Sequence, residues 1–138
     1  MRHFPFFVFT LIFSVRMLAA EFQSAELVGT WSGKAKDGTQ VTYRFHKDGS
    51  VLWLVDEPNF KRQAPSGLRA KYTVRPKSPL WEIDIHDFEH AGFKNVSFHG
   101  ILQPLEKNKV KIEGQPTNRG KRPQSFSDEA VIFSKTDP

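Results

Sequence analysis

Cysteine is absent from the 138 residues of the sequence. Its absence excludes a disulfide scaffold, a zinc site built from thiolates, a cysteine nucleophile and a lipid-modified N-terminal cysteine. Long blocks of like charge are also missing, since none exceeds a pair such as Lys61-Arg62 or Lys121-Arg122. Nucleic-acid binding usually requires a clustered basic face, so we expect no nucleic-acid partner.

Motifs that identify an active site are missing too. The sequence contains no Gly-x-Ser-x-Gly elbow, no phosphate-binding glycine loop and no dinucleotide-binding fingerprint. Carboxylates are plentiful but scattered, and scattered acids do not define a catalytic pair. The sequence therefore predicts a protein that is not an enzyme and that holds no cofactor.

The first twenty residues have the order of a secretory signal peptide. A basic start at Arg2 precedes an apolar run from Phe4 to Val15, and small residues stand at Ala19 and Ala20. A membrane anchor is the alternative, but a spanning helix needs roughly 20 apolar residues and Arg16 interrupts this run. We therefore predict a signal peptide over 1–20, export to the periplasm or the extracellular space, and no membrane span after cleavage.

Cleavage leaves a mature chain, residues 21–138, of mild charge. Loss of Arg2 and Arg16 from the 20 basic residues leaves 18 against 15 acidic ones, a net charge of +3. The whole chain is 38% hydrophobic and 13% aromatic, which is ample for a folded domain. Its length suits one domain and little more.

The mature chain reads as eight short strand-like segments. Each is rich in β-branched or aromatic residues, and turn residues such as Asp37-Gly38 and Asp48-Gly49 separate them. No segment shows three turns of helical periodicity, and a brief helical turn is expected only at 24–27, with Ser24 as its N-cap. The predicted strands are 28–34, 39–46, 51–56, 69–75, 80–86, 96–103, 109–114 and 129–135.

Several segments alternate with a period of two. Trp81, Ile83 and Ile85 lie on one face of their strand, and the residues between them are polar. This pattern is typical of an antiparallel sheet around a single core. Segment 51–55 is apolar on both faces, so we expect its outer face to be covered or to form a contact surface. The series of short strands favours a single antiparallel up-and-down barrel, and a two-sheet β-sandwich is the alternative.

Two motifs near the ends of the mature chain carry a resemblance to a known family. The run Leu27-Val28-Gly29-Thr30-Trp31 is similar to the Gly-x-Trp start of lipocalins, and Gly120-Lys121-Arg122-Pro123-Gln124-Ser125-Phe126 has a G-x-R-P-x-x-F spacing. With the segments 71–74, 83–84 and 100–102, they resemble an uncharacterised lipocalin-like domain of secreted bacterial proteins. The resemblance implies a lipocalin-like barrel over 21–138. It implies no activity, because the family has no agreed one.

The same resemblance implies structural roles for five residues. In lipocalins the signature tryptophan closes one end of the barrel with an arginine stacked on it, so Trp31 would be the plug and Arg122 its cation. Gly29 and Phe126 belong to the same two motifs, and Pro123 would fix the backbone leading into the last strand. We expect these residues to close the barrel rather than to bind a ligand.

The first functional hypothesis is a small hydrophobic or amphipathic ligand inside the barrel. An eight-stranded barrel is just wide enough to be filled by side chains or to hold one small ligand. The same inward residues would also make an ordinary filled core, and a cavity of roughly 300 Å³ or more would favour the ligand. The predicted lining residues are Tyr43, Phe45, Trp53, Tyr72, Trp81, Ile83 and Phe98.

The second hypothesis is a protein partner. A closed barrel without a ligand cavity could serve as an interaction or inhibitor module, using the loop 56–67 and the strand 51–55. A second long loop, 115–125, is basic, and loops of such length in compact domains are either functional or mobile. We expect the protein to be a monomer in either case.

The third hypothesis is a metal-dependent activity on one strand face. A hairpin around 88–95 would place Asp84 opposite His99, with His86 on the same face. His86 and His90 are four residues apart, but this segment is a strand that runs into a loop, so the helical spacing of a zinc pair does not apply. Charge pairs on a solvated face are the simpler interpretation, and the sequence predicts no metal site.

Overall fold

The computed structural model describes residues 22–136, so the predicted signal peptide at 1–20 lies outside the described residues. One short helix, α1 (Pro58–Gln63), joins the third strand to the fourth, and 3-10 turns occur at Ser24–Leu27 and Ala91–Phe93. Across residues 22–136 no helix has the length and apolarity needed to cross a membrane. The strands are β1 (Gly29–Lys34), β2 (Gln40–Phe45), β3 (Ser50–Val55), β4 (Leu68–Arg75), β5 (Trp81–His86), β6 (Phe98–Pro104), β7 (Lys109–Pro116) and β8 (Val131–Lys135).

The eight strands form one closed sheet. Each strand pairs antiparallel with the next in sequence, and β1 pairs with β8 to complete the circle. The predicted up-and-down barrel is confirmed, and the two-sheet sandwich is not formed because a single sheet contains every strand of residues 22–136. The predicted register that places Asp84 opposite His99 is also confirmed.

The two ends of the barrel differ in their connections. Successive antiparallel strands place alternate connections at opposite ends. One end, here called the turn end, carries the 3-10 turn before β1 and the tight turns at 46–49, 76–80 and 105–108. The other, here called the loop end, carries the turn 35–39 and three longer connections: 56–67, which contains α1, then 87–97 and 117–130.

Aromatic and aliphatic side chains fill the barrel. Tyr43 stacks on Phe45 with ring centroids 5.5 Å apart, and Phe133 from β8 lies 5.1 Å from Tyr43 across the interior. These spacings are typical of favourable aromatic pairs. Ile83 and Leu102 are fully buried in the same core. The alternation in the sequence thus becomes an apolar interior and a polar outer face.

Trp31 packs at the turn end of the interior. Its side chain is 1% exposed, and its Nε1–H donates a 2.8 Å hydrogen bond to the carbonyl of Leu27 in the 3-10 turn. Gly29, where the chain enters β1, has a φ of +135°, a conformation that side chains rarely adopt. The turn at 24–27 was predicted correctly, but Gln23 rather than Ser24 occupies the N-cap position.

The cation over Trp31 was predicted wrongly. Lys135, not Arg122, lies over the indole, with its Nζ 5.6 Å from the ring centroid. Trp31 faces the interior, whereas Arg122 lies on the outer face of β5, where it binds Asp84. The wall of the barrel therefore separates Arg122 from the ring it was expected to cover. Lys135 reaches Trp31 because the two residues are register partners in β8 and β1.

The connection 117–130, here called the strap, lies against the outer face of β5, β6 and β7. Its Arg122 donates to the backbone carbonyls of Gly100 and Ile83 at 2.7 and 3.3 Å. The same guanidinium binds Glu82 through Nε at 3.1 Å and Asp84 through Nη2 at 2.6 Å. One arginine thus joins the strap to two adjacent strands, and several of its donors are used.

Other strap contacts support the same placement. The Ser127 N–H and hydroxyl donate to the carboxylate of Glu113 on β7 at 2.7 and 2.9 Å. The Phe126 ring lies beneath Lys111, whose Nζ is 4.7 Å from the ring centroid. Ile101 points outward from β6 yet is only 3% exposed, which is consistent with cover from the strap. Phe126 therefore packs on the outer wall of the barrel.

Closure of the barrel depends on a close approach at Gly33. This residue pairs with Phe133, and a Cβ at position 33 would overlap the carbonyl oxygen of Ile132 and lie 2.8 Å from Cγ1 of Val131. The oxygen belongs to the backbone of β8, so it cannot move aside as a side chain can. Only glycine permits β1 and β8 to pair at this distance.

We predict that Gly33→Ala lowers the free energy of unfolding by about 1–3 kcal/mol, because the added methyl group overpacks the β1–β8 junction. Urea denaturation followed by circular dichroism measures this change. Gly120→Ala is the matched control, since its Cβ would meet only the movable side chain of Gln115. Equal stability of the two variants would contradict this account of closure.

Candidate functional site

Five aromatic side chains gather at the loop end and form what is here called the aromatic cluster. Trp53, near the end of β3, lies at its centre. Its ring centroid is 6.2 Å from that of Phe60, 6.3 Å from Phe88 and 5.7 Å from Phe98. Phe93 extends the cluster with a centroid 5.6 Å from Phe88. Strand, helix and loop thus contribute rings to one apolar group at this end.

Two glycines make room for Phe98. Gly100 and Gly114 are register partners in β6 and β7. A Cβ at Gly114 would stand 2.6 Å from Cζ of Phe98, and one at Gly100 would stand 3.4 Å from its Cε1. The ring therefore lies flat against bare backbone, which brings it within reach of Trp53.

The helix α1 covers one side of the cluster. Its N-terminus is capped by Glu57, whose carboxylate accepts from the N–H groups of Asn59 and Phe60 at 2.9 and 2.8 Å. These two donors hold the pKa of Glu57 below its usual range. Within α1 no residue is fully buried, and Phe60 is the residue that packs on the core. A short helix with one apolar anchor is a region of low local stability.

His90 joins α1 to the connection 87–97. Its Nδ1 accepts from the N–H of Gly92 at 3.1 Å, and its Nε2 lies 3.1 Å from the carbonyl oxygen of Gln63 at the end of α1. Because a carbonyl can only accept, this arrangement requires the neutral imidazole with its proton on Nε2. His90 therefore positions the helix rather than pairing with His86 as a metal ligand.

A groove of about 530 Å³ lies between α1 and the outer side of β2 and β3. It is here called the α1 groove. Its polar rim includes Lys61 and Asp56, which form an ion pair with each other. Its other lining residues are apolar Leu54, Val55, Phe60, Ala64 and Pro65, with Gln40 and Thr42 contributing polar groups.

The outer face of β3 was expected to be covered or to form a contact surface, and it is partly covered. Leu52 and Leu54 point outward and are half-buried. A Cβ at Gly67 would stand 2.7 Å from Leu54 Cδ2 and 2.9 Å from Leu52 Cδ1, so the end of the α1 connection lies against both leucines. Leu54 also lines the α1 groove, so part of this apolar face remains accessible.

One buried polar atom in the cluster has no partner. The indole Nε1 of Trp53 is the single buried side-chain nitrogen or oxygen without a hydrogen bond in the described part of the chain. Tyr43, its register partner on β2, has its ring centroid 5.8 Å from the indole. Burial raises the pKa of Tyr43 well above its usual range, so its hydroxyl stays protonated. Two neutral polar groups thus stand in an apolar setting.

The predicted lining residues all contribute to the interior, but not to one place. Tyr43, Phe45 and Ile83 are fully buried, and Tyr72 packs on Phe45 with centroids 4.8 Å apart. Trp81 lies apart from the aromatic cluster, at the turn end, where it contacts Phe22. Trp53 and Phe98 belong to the cluster. A ligand role for these seven residues stays a prediction.

The polar face of β5 is occupied by arginines. Asp84 contacts Arg122 at 2.6 Å and Arg75 at 2.8 Å, and the carboxylate is 16% exposed. Burial alone would raise the pKa of Asp84, but the hydrogen bonds and charges of the two arginines outweigh it and hold the pKa below its usual range. Within residues 22–136, no group of three histidine or carboxylate side chains is arranged so that it could hold a metal ion. Asp84, His86 and His99 are therefore not such a group.

Sequence reasoning singled out Phe60 as part of a possible partner surface, but it missed α1, the packing of Phe60 on Trp53 and the linking role of His90. Segment 56–67 was predicted as a loop, although Glu57 followed by Pro58 is a usable signal for a helix start, because proline favours the first helical position. Comparisons of the chain with protein-family models, with curated proteins and with solved structures found no match. The lipocalin-like resemblance stays a prediction.

We predict that Arg122→Met lowers the free energy of unfolding by about 1–3 kcal/mol at pH 7, because it leaves partly buried acceptors without a donor. Because the pKa of Asp84 is lowered in the folded state, the ion pair contributes fully to the free energy of unfolding above about pH 4. This contribution is lost as the pH falls further and the carboxyl is protonated. The difference between variant and wild type should therefore shrink in acid. Urea denaturation at pH 7 and pH 3 measures it.

Lys121→Met is the matched control for this experiment, since the neighbouring Lys121 is exposed. It should change stability by less than about 0.5 kcal/mol at either pH. A loss that is the same at both pH values would show that Arg122 acts without Asp84.

Proposed function

We propose that the protein is an exported, lipocalin-like and non-enzymatic binding module that takes a small amphipathic molecule at the loop end of its barrel. The α1 groove is the observation that carries this proposal. Its volume of about 530 Å³ falls within the range of small-molecule sites, roughly 300–1,000 Å³. Its apolar floor and polar rim match a molecule with one apolar and one polar part.

The filled interior favours a site at the end of the barrel over one in its middle. Phe45 and Ile83 are at most 1% exposed and leave the centre to packed side chains. Trp31 is buried at the turn end and donates its N–H to Leu27 there. At the loop end, Phe60 both lines the α1 groove and contacts Trp53, so a molecule in the groove touches the edge of the aromatic cluster. Of the predicted lining residues, Trp53 and its neighbours Tyr43 and Phe98 would then form the wall behind the site.

A protein partner is the second candidate function. The observation that favours it is the accessible part of Leu54 and Phe60, which belong to the strand 51–55 and the loop 56–67 singled out in the sequence. Exposed Arg44 and Arg69 flank Leu52 in adjacent strands of the outer face. A partner would contact this surface with acidic and apolar side chains.

We predict that Gln40→Trp weakens binding of the amphipathic dye 1-anilinonaphthalene-8-sulfonate by about tenfold or more, a loss of about 1.4 kcal/mol. Gln40 is exposed at the rim, so a tryptophan there occupies the groove without changing the core. Dye fluorescence titration measures the dissociation constant. Ser134→Trp is the matched control, because Ser134 is exposed on the outer face of β8 and is not a lining residue of the groove.

Saturable binding that Gln40→Trp removes and Ser134→Trp preserves supports the proposal. Absence of dye binding to the folded wild type, or equal binding by both variants, would contradict it. In that case the protein-partner function becomes the better candidate.

A further inference from the structure

The two tryptophans at opposite ends of the barrel differ in the state of their indole N–H. Trp31 donates to the carbonyl of Leu27 at 2.8 Å. Trp53 Nε1 is equally shielded from solvent, but within residues 22–136 it has no acceptor. Buried donors in folded proteins are nearly always hydrogen-bonded, and an unpaired one is destabilising. The Trp53 donor therefore requires an explanation that the fold alone does not provide.

The surroundings of Trp53 do not favour a buried water as its partner. The rings nearest the indole are Tyr43, Phe60, Phe88 and Phe98, with centroids 5.7 to 6.3 Å away. A buried water typically makes about three hydrogen bonds. Among these four rings, only the Tyr43 hydroxyl could offer a second one. An acceptor on a larger apolar molecule suits this environment better than water does.

We propose that Trp53 Nε1 donates a hydrogen bond to a neutral carbonyl oxygen of the bound molecule, such as that of a ketone, an ester or an amide. This inference rests on the function proposed above and names the chemical class of its ligand. A neutral oxygen is required because the four surrounding rings carry no charge. Lys61, the cation at the groove, is exposed and paired with Asp56, so an ionised carboxylate beside Trp53 would lack a partner.

Phe60 lies on the route from the groove to the indole. Its ring lines the α1 groove on one side and contacts Trp53 on the other. The helix that carries it has six residues, none fully buried. If α1 moved outward, the Phe60 ring would leave its present position, and the apolar body of the ligand would occupy that space. The vacated position adjoins the Trp53 indole, because the two ring centroids are 6.2 Å apart.

The test uses three probes of one shape. They are 2-acetylnaphthalene, 2-isopropenylnaphthalene, in which a CH₂ group replaces the carbonyl oxygen, and 2-naphthoate, which carries a charge. Isothermal titration calorimetry gives the affinity of each for the wild type and for Trp53→Phe. We expect the ratio of ketone affinity to alkene affinity to fall by about fivefold to a hundredfold in the variant, since only the ketone can use the missing N–H. We expect 2-naphthoate to bind most weakly to the wild type.

Trp81→Phe is the matched control, because Trp81 packs against Phe22 at the turn end, away from the cluster. It should keep the wild-type ratio. A second measurement does not depend on any change in stability: the indole ¹H–¹⁵N resonance that Trp53→Phe removes should shift downfield when the ketone binds, as a new hydrogen bond requires. Urea denaturation checks that both variants remain folded.

The outcomes separate this inference from the proposed function. A ketone-to-alkene ratio that is unchanged in Trp53→Phe, or an indole resonance that does not move, overturns the inference while probe binding upholds the function. Tightest binding of 2-naphthoate overturns the neutral-carbonyl class. If none of the three probes binds, the inference is overturned. If the dye also fails to bind the wild type in the Gln40 experiment, the proposed function is overturned as well.

Discussion

The pairing of β1 with β8 turns a row of hairpins into a barrel with no exposed edge. Three register pairs, Trp31–Lys135, Ser32–Ser134 and Gly33–Phe133, make this junction. It is the shortest in the sheet, yet it removes the two open edges that an eight-stranded meander would present to other chains. A closed sheet also forces its inward residues onto one another. The single apolar core is thus a consequence of closure.

The two ends of the closed barrel are covered in different ways. At the turn end the chain enters β1 through a 3-10 turn, and every connection is a tight turn, so Trp31 and its bond to Leu27 can close the interior. The long connections accumulate at the loop end. One of them, the strap, returns along the outer wall and is fastened by Arg122. The interior at this end is therefore covered by α1 and the segment 87–97. Both pack aromatic rings against Trp53, and His90 connects them through the carbonyl of Gln63.

The parts of the structure that follow from local pattern could be predicted from the sequence. Alternation with a period of two decides which face of a strand is buried, so each predicted strand falls near its observed position. Long-range placement could not be predicted in the same way. Nothing in the G-x-R-P-x-x-F run specifies whether its arginine lies inside or outside the wall, and the resemblance to lipocalins placed Arg122 on Trp31. The β1–β8 register instead brings Lys135 there.

The candidate site could not be predicted from the sequence for a related reason. Six residues make too short a helix to show periodicity, and α1 exists because Glu57 satisfies its first N–H groups and Phe60 anchors it to the core. The sequence marked Trp53 as an inward aromatic residue, but its unpaired N–H arises only when rings from four separate elements surround it. Trp31, a tryptophan of the same barrel, has an acceptor because a backbone carbonyl lies beside it. In residues 22–136 no acceptor lies within hydrogen-bonding distance of Trp53 Nε1, and this difference between the two tryptophans is the basis of the ligand class proposed above.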